Sequence, residues 1–205
     1  MFDRFVVVDW SANSTAKRGR DSIWIAVRDH VGATVSNPST RAEAERMLVE
    51  ELAGDARVLL GVDFSLGYPN GTAAALGLAG APWEALSAEL SRTVTDDDRN
   101  RNNRFVVASQ LNARFGAGPG PFWGCPPSAA TDALSTTKPP SGPLAEWRTV
   151  ESVLRREGHR PFSSWQLLGA GAVGSQSLLG IPMIVRLRER FGGRLSVWPF
   201  SVEPG

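Results

Sequence analysis

RVLLGVDFS (residues 57–65) decides the fold. A continuous apolar run of this kind marks a strand buried on both faces, as in a parallel sheet. It closes on a carboxylate, Asp63. A second run of the same design opens the chain: FVVVDWS (5–11) is β-branched and aromatic, and its apolar part ends on Asp9. Between them, SIWIAVRD (22–29) and HVGATVSN (30–37) read as two more strands with a tight turn around Gly32. Three strands this close in sequence pair as antiparallel hairpins. Ser39 or Thr40 caps a helix over RAEAERMLVEELAG, which stops at Gly54.

Beyond residue 65 the chain changes character. GYPNGTAAALGLAGAP is small and rich in Gly and Pro, WEALSAELSRTV (83–94) reads as a helix, and TDDDRNRNNR (95–104) is a charged stretch leading into a helix over FVVASQLNARFG. Residues 116–143 form a long Gly/Pro/Ser/Thr-rich loop with FWG in its middle. A loop of that length in a compact domain is functional or disordered. LAEWRTVESVLRREG (144–158) is an amphipathic helix, SSWQLLGAG (163–171) a fifth strand, VGSQSLLGIPMIVRLRERFGG a long helix interrupted by Pro182, and RLSVWPF (194–200) a last strand. There are no internal repeats.

The opening order, three hairpin strands, a helix and a buried strand, is the layout of ribonuclease-H-like domains. The expectation is one α/β domain over residues 1–205, a mixed five-stranded sheet with flanking helices and a helical and loop insertion at about 66–143. In that layout the first and fourth strands lie side by side, parallel, in the middle of the sheet, and the ends of FVVVD and LLGVD meet.

Two carboxylates at neighbouring strand ends repel unless a positive charge sits between them. Mg²⁺ or Mn²⁺ is the economical partner, since such hard ions take one or two carboxylates and keep the rest of their shell for water and substrate phosphate. Two ions roughly 3.5–4 Å apart would activate a water and stabilise the leaving oxygen in phosphodiester cleavage. The alternative is that each Asp accepts local backbone N–H groups as a turn residue. Glu151, on the helix before the fifth strand, and Glu203 are the candidates for a further ligand or base.

VVVDWSA, LLGVDFSLGYP, GPFWG, the WRTVE helix and above all SSWQLLGAGAVGSQSLLGIP resemble an uncharacterised bacterial family of predicted nucleases with a ribonuclease-H fold. The resemblance covers most of the chain in scattered blocks. It implies Asp9 and Asp63 as the acidic pair. Ribonuclease-H-like resolvases carry further Asp or His ligands on the last helix, where this chain has Ser175 and Gln176. Such families also continue past the point where VWPFSVEPG ends, which implies a shortened form.

LLGAGAVGS (167–175) matches G-x-G-x-x-G between a predicted strand and helix. A helix N-terminus there offers N–H groups to a phosphate, with Gly169, Gly171, Gly174, Ser175 and Gln176 as the cradle. The other reading is tight strand-to-helix packing through small residues. Lys17, Arg18 and Arg20 follow Asp9 and either hold a phosphate, Lys17 first, or form a solvated turn. Arg99, Arg101 and Arg104 with their asparagines either touch nucleic acid or form a solvated helix start, with Asp96–Asp98 cancelling much of their charge. Trp123, Trp147 and Trp165 read as core residues; Trp123, if exposed beside Asp9, would instead stack a base.

The composition narrows the classes. A net charge of +1 over 205 residues gives no global field for nucleic acid or an anionic membrane. One cysteine, Cys125, excludes an internal disulfide framework and fits a reducing compartment. It reads as a small buried residue, since neither His30 nor His159 offers it a triad. No run suits a signal peptide or a membrane span, so a cytoplasmic protein is expected. The expected function is a divalent-metal-dependent phosphodiester hydrolase, nuclease-like, acting on nucleic acid or a nucleotide. The alternatives are a non-catalytic nucleotide or phosphate-cofactor binder at the glycine turn, or a scaffolding protein that uses the insertion.

Overall fold

The computed structural model describes residues 1–116, 118–140, 142 and 144–200. Among them are four strands, β1 (Arg4–Asp9), β2 (Trp24–Arg28), β3 (Ala33–Ser36) and β4 (Val58–Val62), and six helices, α1 (Arg41–Leu52), α2 (Thr72–Ala75), α3 (Pro82–Thr93), α4 (Arg104–Phe115), α5 (Thr149–Arg156) and α6 (Gly174–Phe191). The chain divides into two compact units. The first comprises Met1–Phe64 together with Thr95–Asn102. The second comprises Ser65–Val94 and the chain from Asn103 onward. These bounds differ from the expected insertion, because residues 95–102 belong with the sheet.

The first unit holds a mixed four-stranded sheet in the order β3-β2-β1-β4. β1 pairs antiparallel with β2 and parallel with β4, and β2 pairs antiparallel with β3. The β2–β3 turn is set by Asp29, whose Oδ1 accepts the N–H of Val31 at 2.8 Å while its own N–H donates to Gly32 O at 3.0 Å. α1 starts where Thr40 Oγ1 accepts the Glu43 N–H at 3.1 Å, and Glu43 reaches back to the Ser39 N–H at 2.7 Å. Together these satisfy two orphan amides of the first turn.

Alternation divides the sheet into two faces. Val6, Val8, Ile23 and Ile25 point to one side and are buried with Ala44 and Leu48 of α1, and Arg4 ties α1 to this face through Glu51 at 2.9 Å. Burying each large aliphatic side chain stabilises the unit by about 1.5–3 kcal/mol. The opposite face carries Phe5, Val7, Trp24, Val35 and Leu59, all exposed.

Two expectations change here. β4 is an edge strand with one face open, so its apolar run does not mean burial on both sides. Neither SSWQLLGAG nor RLSVWPF is a fifth strand among the described residues. In the former only Gln166 forms an isolated bridge, to Trp123. Gly169 and Gly171, at φ 114° and 74°, turn the backbone out of the extended region. The latter is a 3-10 turn followed by irregular backbone.

The second unit is helical. Its core joins Leu86 and Leu90 of α3, Val107 and Leu111 of α4, Leu178 and Ile181 of α6, and Phe122, Cys125, Leu134 and Trp165 from the intervening segments. FWG does anchor the long loop. Phe122 N–H and C=O both bond the buried Asn112 side chain, at 2.9 Å each, and Phe122 meets Trp165 edge-on at 4.8 Å. Cys125 lies 3 % exposed in this core, as a small buried residue should. TAAA, inside the small-residue stretch, forms the short helix α2 that its composition did not announce.

Candidate functional site

Asp9 is the last residue of β1. The parallel register pairs Val8 with Val62, so the next pair along the two strands is Asp9 and Asp63. The pairing continues through the backbone: Asp63 N–H donates to Val8 O at 3.2 Å, and Trp10 N–H donates to Asp63 Oδ1 at 2.9 Å. Both carboxylates point to the open face of the sheet, and both residues are exposed.

The turn-capping reading finds its partners at Asp63 but not at Asp9. No backbone N–H is bonded to the Asp9 carboxylate among the described residues. Asp63 accepts the Trp10 N–H from across the sheet, and its own backbone N–H adds a weaker local contribution. At the ~4.8 Å spacing of paired strands, two full negative charges near a protein surface repel by about 3 kcal/mol. The Asp63 carboxyl is pushed up from 3.8 to about 6. Partial withdrawal from water is the largest cause. The Trp10 N–H opposes it, and the charge and hydrogen bond of Asp9 add to it. Among the described residues no Lys, Arg or His is ion-paired with either carboxylate.

The loop after β1 is fixed from below by a buried arginine. Arg41, 3 % exposed, forms a two-pronged pair with Asp96 (Nε–Oδ2 2.5 Å, Nη2–Oδ1 2.6 Å). Its remaining donors go to Ser11 O at 3.0 Å, Asn13 O at 2.8 Å and Asn100 O at 2.9 Å. Asn100, buried and at φ 68°, accepts the Arg41 N–H at 2.8 Å and donates to Thr15 O at 3.1 Å. The loop itself carries Lys17, Arg18 and Arg20. Lys17 Nζ and Arg20 Nε lie 3.8 and 3.7 Å from Asp21, and Arg18 pairs with Glu43 at 3.0 Å. Arg20 is almost wholly open to solvent.

The charged stretch 95–104 thus has a structural use that its composition hid. Asp96 neutralises Arg41, and Asp97 pairs with Arg101 at 2.6 Å. Arg104 donates to Ser175 Oγ at 3.0 Å and lies over the Phe105 ring.

Glu151 does not join the acidic pair. It belongs to the second unit, and both its oxygens are spent on Arg148. Oε2 accepts the Arg148 N–H at 2.7 Å as a helix cap, and Oε1 accepts the guanidinium Nε at 2.8 Å. A carboxylate so bound is a structural group, not a metal ligand or a base. Glu203 lies outside the described residues. Among the described residues no group of three or more His, Cys, Asp or Glu side chains gathers anywhere.

The glycine turn is accounted for by packing. A Cβ on Gly174 would stand 2.6 Å from both Ser164 O and Gln166 O, and one on Gly171 would overlap the Phe162 ring at 2.2 Å. Ser175 Oγ donates to Leu167 O at 2.7 Å and accepts from Arg104. Gly174 N–H donates to Gln166 O at 2.9 Å. Gln176 is half-buried in the first turn of α6. Gly174→Ala in an ordinary helix would add about 1 kcal/mol of stability. Here it must displace two backbone carbonyls, and a loss of about 3 kcal/mol, or ~10 °C in Tm for a chain of this size, is expected in thermal unfolding. An unchanged or raised Tm refutes the close approach.

The site residue that the sequence reading passed over is Trp24. The antiparallel register places it directly opposite Asp9, on the same open face. Trp123 is half-buried against the core of the second unit, as its core reading expects, and bridged to Ser135 and Gln166. The signal for Trp24 was present once SIWIAVRD is paired with FVVVD, but the register of a hairpin with a long connection cannot be counted from sequence.

No protein-family model matches this chain, and no curated protein or solved structure matches it.

Proposed function

We propose that this chain is a divalent-cation-dependent phosphodiester hydrolase of ribonuclease-H-like fold, acting on nucleic acid or a nucleotide, with Asp9 and Asp63 as the cation ligands. One observation carries the reading: two carboxylates, far apart in the chain, come into adjacent register at the ends of parallel strands on an open face, with no cationic side chain of the described residues paired to either. The strand order β3-β2-β1-β4 with its parallel β1–β4 pair supports the fold, and so does the resemblance of VVVDWSA and LLGVDFSLGYP to the predicted nucleases.

Two carboxylates, with no third among the described residues, fit Mg²⁺ or Mn²⁺, which leave most of their shell to water and phosphate. They do not fit a closed metal cage, nor two ions each held by its own carboxylates. Such an ion supplies Lewis-acid polarisation of a phosphate oxygen and an acidified water. The chain contributes the rest: Asp9 and Asp63 hold the charge, the Trp10 N–H orients Asp63, and Arg41 keeps the adjoining loop in place. The lone buried cysteine fits a cytoplasmic setting, and no helix among the described residues is long and apolar enough to cross a membrane.

The test is cleavage of a labelled single-stranded oligonucleotide by the EDTA-stripped protein with and without Mn²⁺. Cleavage that appears with Mn²⁺ and drops to background in Asp9→Asn is the expected result. Cleavage that persists in Asp9→Asn, or needs no metal, overturns the proposal.

A further inference from the structure

We propose that Trp24 is a base-stacking platform beside the acidic pair, which makes single-stranded nucleic acid the substrate class. This rests on the phosphodiesterase reading of Asp9 and Asp63.

Directly opposed residues of an antiparallel pair hold their Cβ atoms about 4.5–5.5 Å apart, and Asp9 opposes Trp24. The indole is not a loose surface residue. Its Nε1–H donates to Gly19 O at 3.1 Å. That carbonyl is itself held by Ser22 Oγ at 2.6 Å, and the Gly19 N–H is held by Asn37 Oδ1 at 2.6 Å. The one polar atom of the ring is therefore consumed, the ring orientation is set, and 38 % of the residue remains open. A pre-oriented ring loses little conformational freedom on binding.

Single exposed hydrophobic residues are ordinary. Trp24 differs in what surrounds it. On one side are Asp9 and Asp63, and next to its anchor Gly19 the loop carries the exposed cations Lys17 and Arg20, two positive charges that share the one carboxylate of Asp21. An apolar protein partner seated here would have to bury the carboxylate pair without compensation, which is costly. A nucleotide strand suits both chemistries. Its phosphate goes to the cation at the carboxylates, its base to the indole face, and a flanking phosphate to the basic loop. Duplex is disfavoured because its bases are already stacked on each other. Stacking of this kind is sequence-tolerant, since every base has a π face.

The experiment compares binding of a fluorescein-labelled thymidine decamer with that of an abasic decamer carrying the same phosphates. Anisotropy is followed with the full chain in Ca²⁺, an oxygen-seeking ion chosen to limit cleavage. Expected: the wild type binds the thymidine strand about tenfold tighter than the abasic one, within the range that base–aromatic stacking supplies. Trp24→Ala binds both strands as the wild type binds the abasic strand, and Trp24→Phe keeps most of the preference. If the wild type does not distinguish the strands, or Trp24→Ala keeps the preference, the stacking proposal is wrong. Metal-dependent binding of the abasic strand that is lost in Asp9→Asn would then leave the phosphodiesterase reading standing. If neither strand binds, both fail together. Trp24 lies at the surface of the sheet, so the variants fold, and Trp24→Phe guards against a general loss of the strand.

Discussion

Asp63→Asn is expected to abolish Mn²⁺ binding and at the same time to make the metal-free protein more stable at neutral pH. The two effects have one cause. The Asp63 carboxyl is pushed up to about 6 by withdrawal from water and by Asp9, against 3.8 for a free aspartate. A carboxyl raised in the folded state is harmless below pH ~4, where both folded and unfolded chains hold the proton. As pH climbs from ~4 through 6 the unfolded chain ionises first, and the folded chain loses stability relative to it. The full displacement from 3.8 to about 6 corresponds to about 3 kcal/mol, and solvent screening at an exposed position reduces this to about 1 kcal/mol. Asn keeps an oxygen for the Trp10 N–H and carries no charge. The stability curves of the two EDTA-treated proteins, followed by thermal unfolding from pH 4 to 8, are expected to coincide at the acid end and to separate through pH 6, with the Asn variant above. Taking the difference between the two proteins removes the opposing contributions of Asp3, Asp29 and Asp97, whose carboxyls lie below the ordinary range. Mn²⁺ at a hundred times its Kd is expected to stabilise the wild type by about 2.7 kcal/mol and to leave Asp63→Asn unmoved. A gap between the curves that does not vary with pH, or equal stabilisation by Mn²⁺, contradicts this account.

Arg41→Ala is expected to cost about 3–5 kcal/mol, the range for breaking a buried ion pair by removing one partner. The guanidinium is 3 % exposed and uses its donors on both Asp96 oxygens and on the carbonyls of Ser11, Asn13 and Asn100. Its removal leaves a carboxylate that is 15 % exposed without its partner, and takes a donor from three carbonyls, of which Asn100 O keeps another, from Asn102 Nδ2 at 2.9 Å. Arg41→Lys is not a rescue, because one ammonium cannot serve a two-pronged carboxylate and three carbonyls in different directions. Against a total stability of 5–15 kcal/mol, the Ala variant loses a large fraction of its margin. The midpoint of urea unfolding checks it: a loss under about 1 kcal/mol would mean that water replaces the guanidinium freely and that the loop after Asp9 does not depend on it.

The half of the site made by β1 and β4 was legible because its determinants are local. Each strand is a short apolar run, and each ends on its own carboxylate. The helix between them announces its start at Thr40. What escaped the sequence is what depends on distant partners. Arg41 looks like any polar residue at a helix start until Asp96 and Asn100, 55 and 59 positions away, come to meet it. TDDDRNRNNR read as solvated for the same reason. SSWQLLGAG misled in a different way. Its apolar residues suit a strand, but Trp165 and Leu167 face a helical core, and the glycines that follow serve close approach at the start of α6. Glu151 had the right chemistry for a ligand and the wrong neighbour, since Arg148 three residues earlier claims it. Trp24 needed a register that only folding supplies.

The return of residues 95–102 to the first unit has a bearing on how the chain is made. Synthesis is vectorial, and Arg41 leaves the ribosome 55 residues ahead of the carboxylate it must meet. At ~5–20 residues per second, that guanidinium waits on the order of 3–10 s, during which the fourth strand and helices α2 and α3 emerge. The nascent sheet must therefore spend that interval with its key cation still hydrated, and closure of the loop behind Asp9 is a late event in the birth of the molecule.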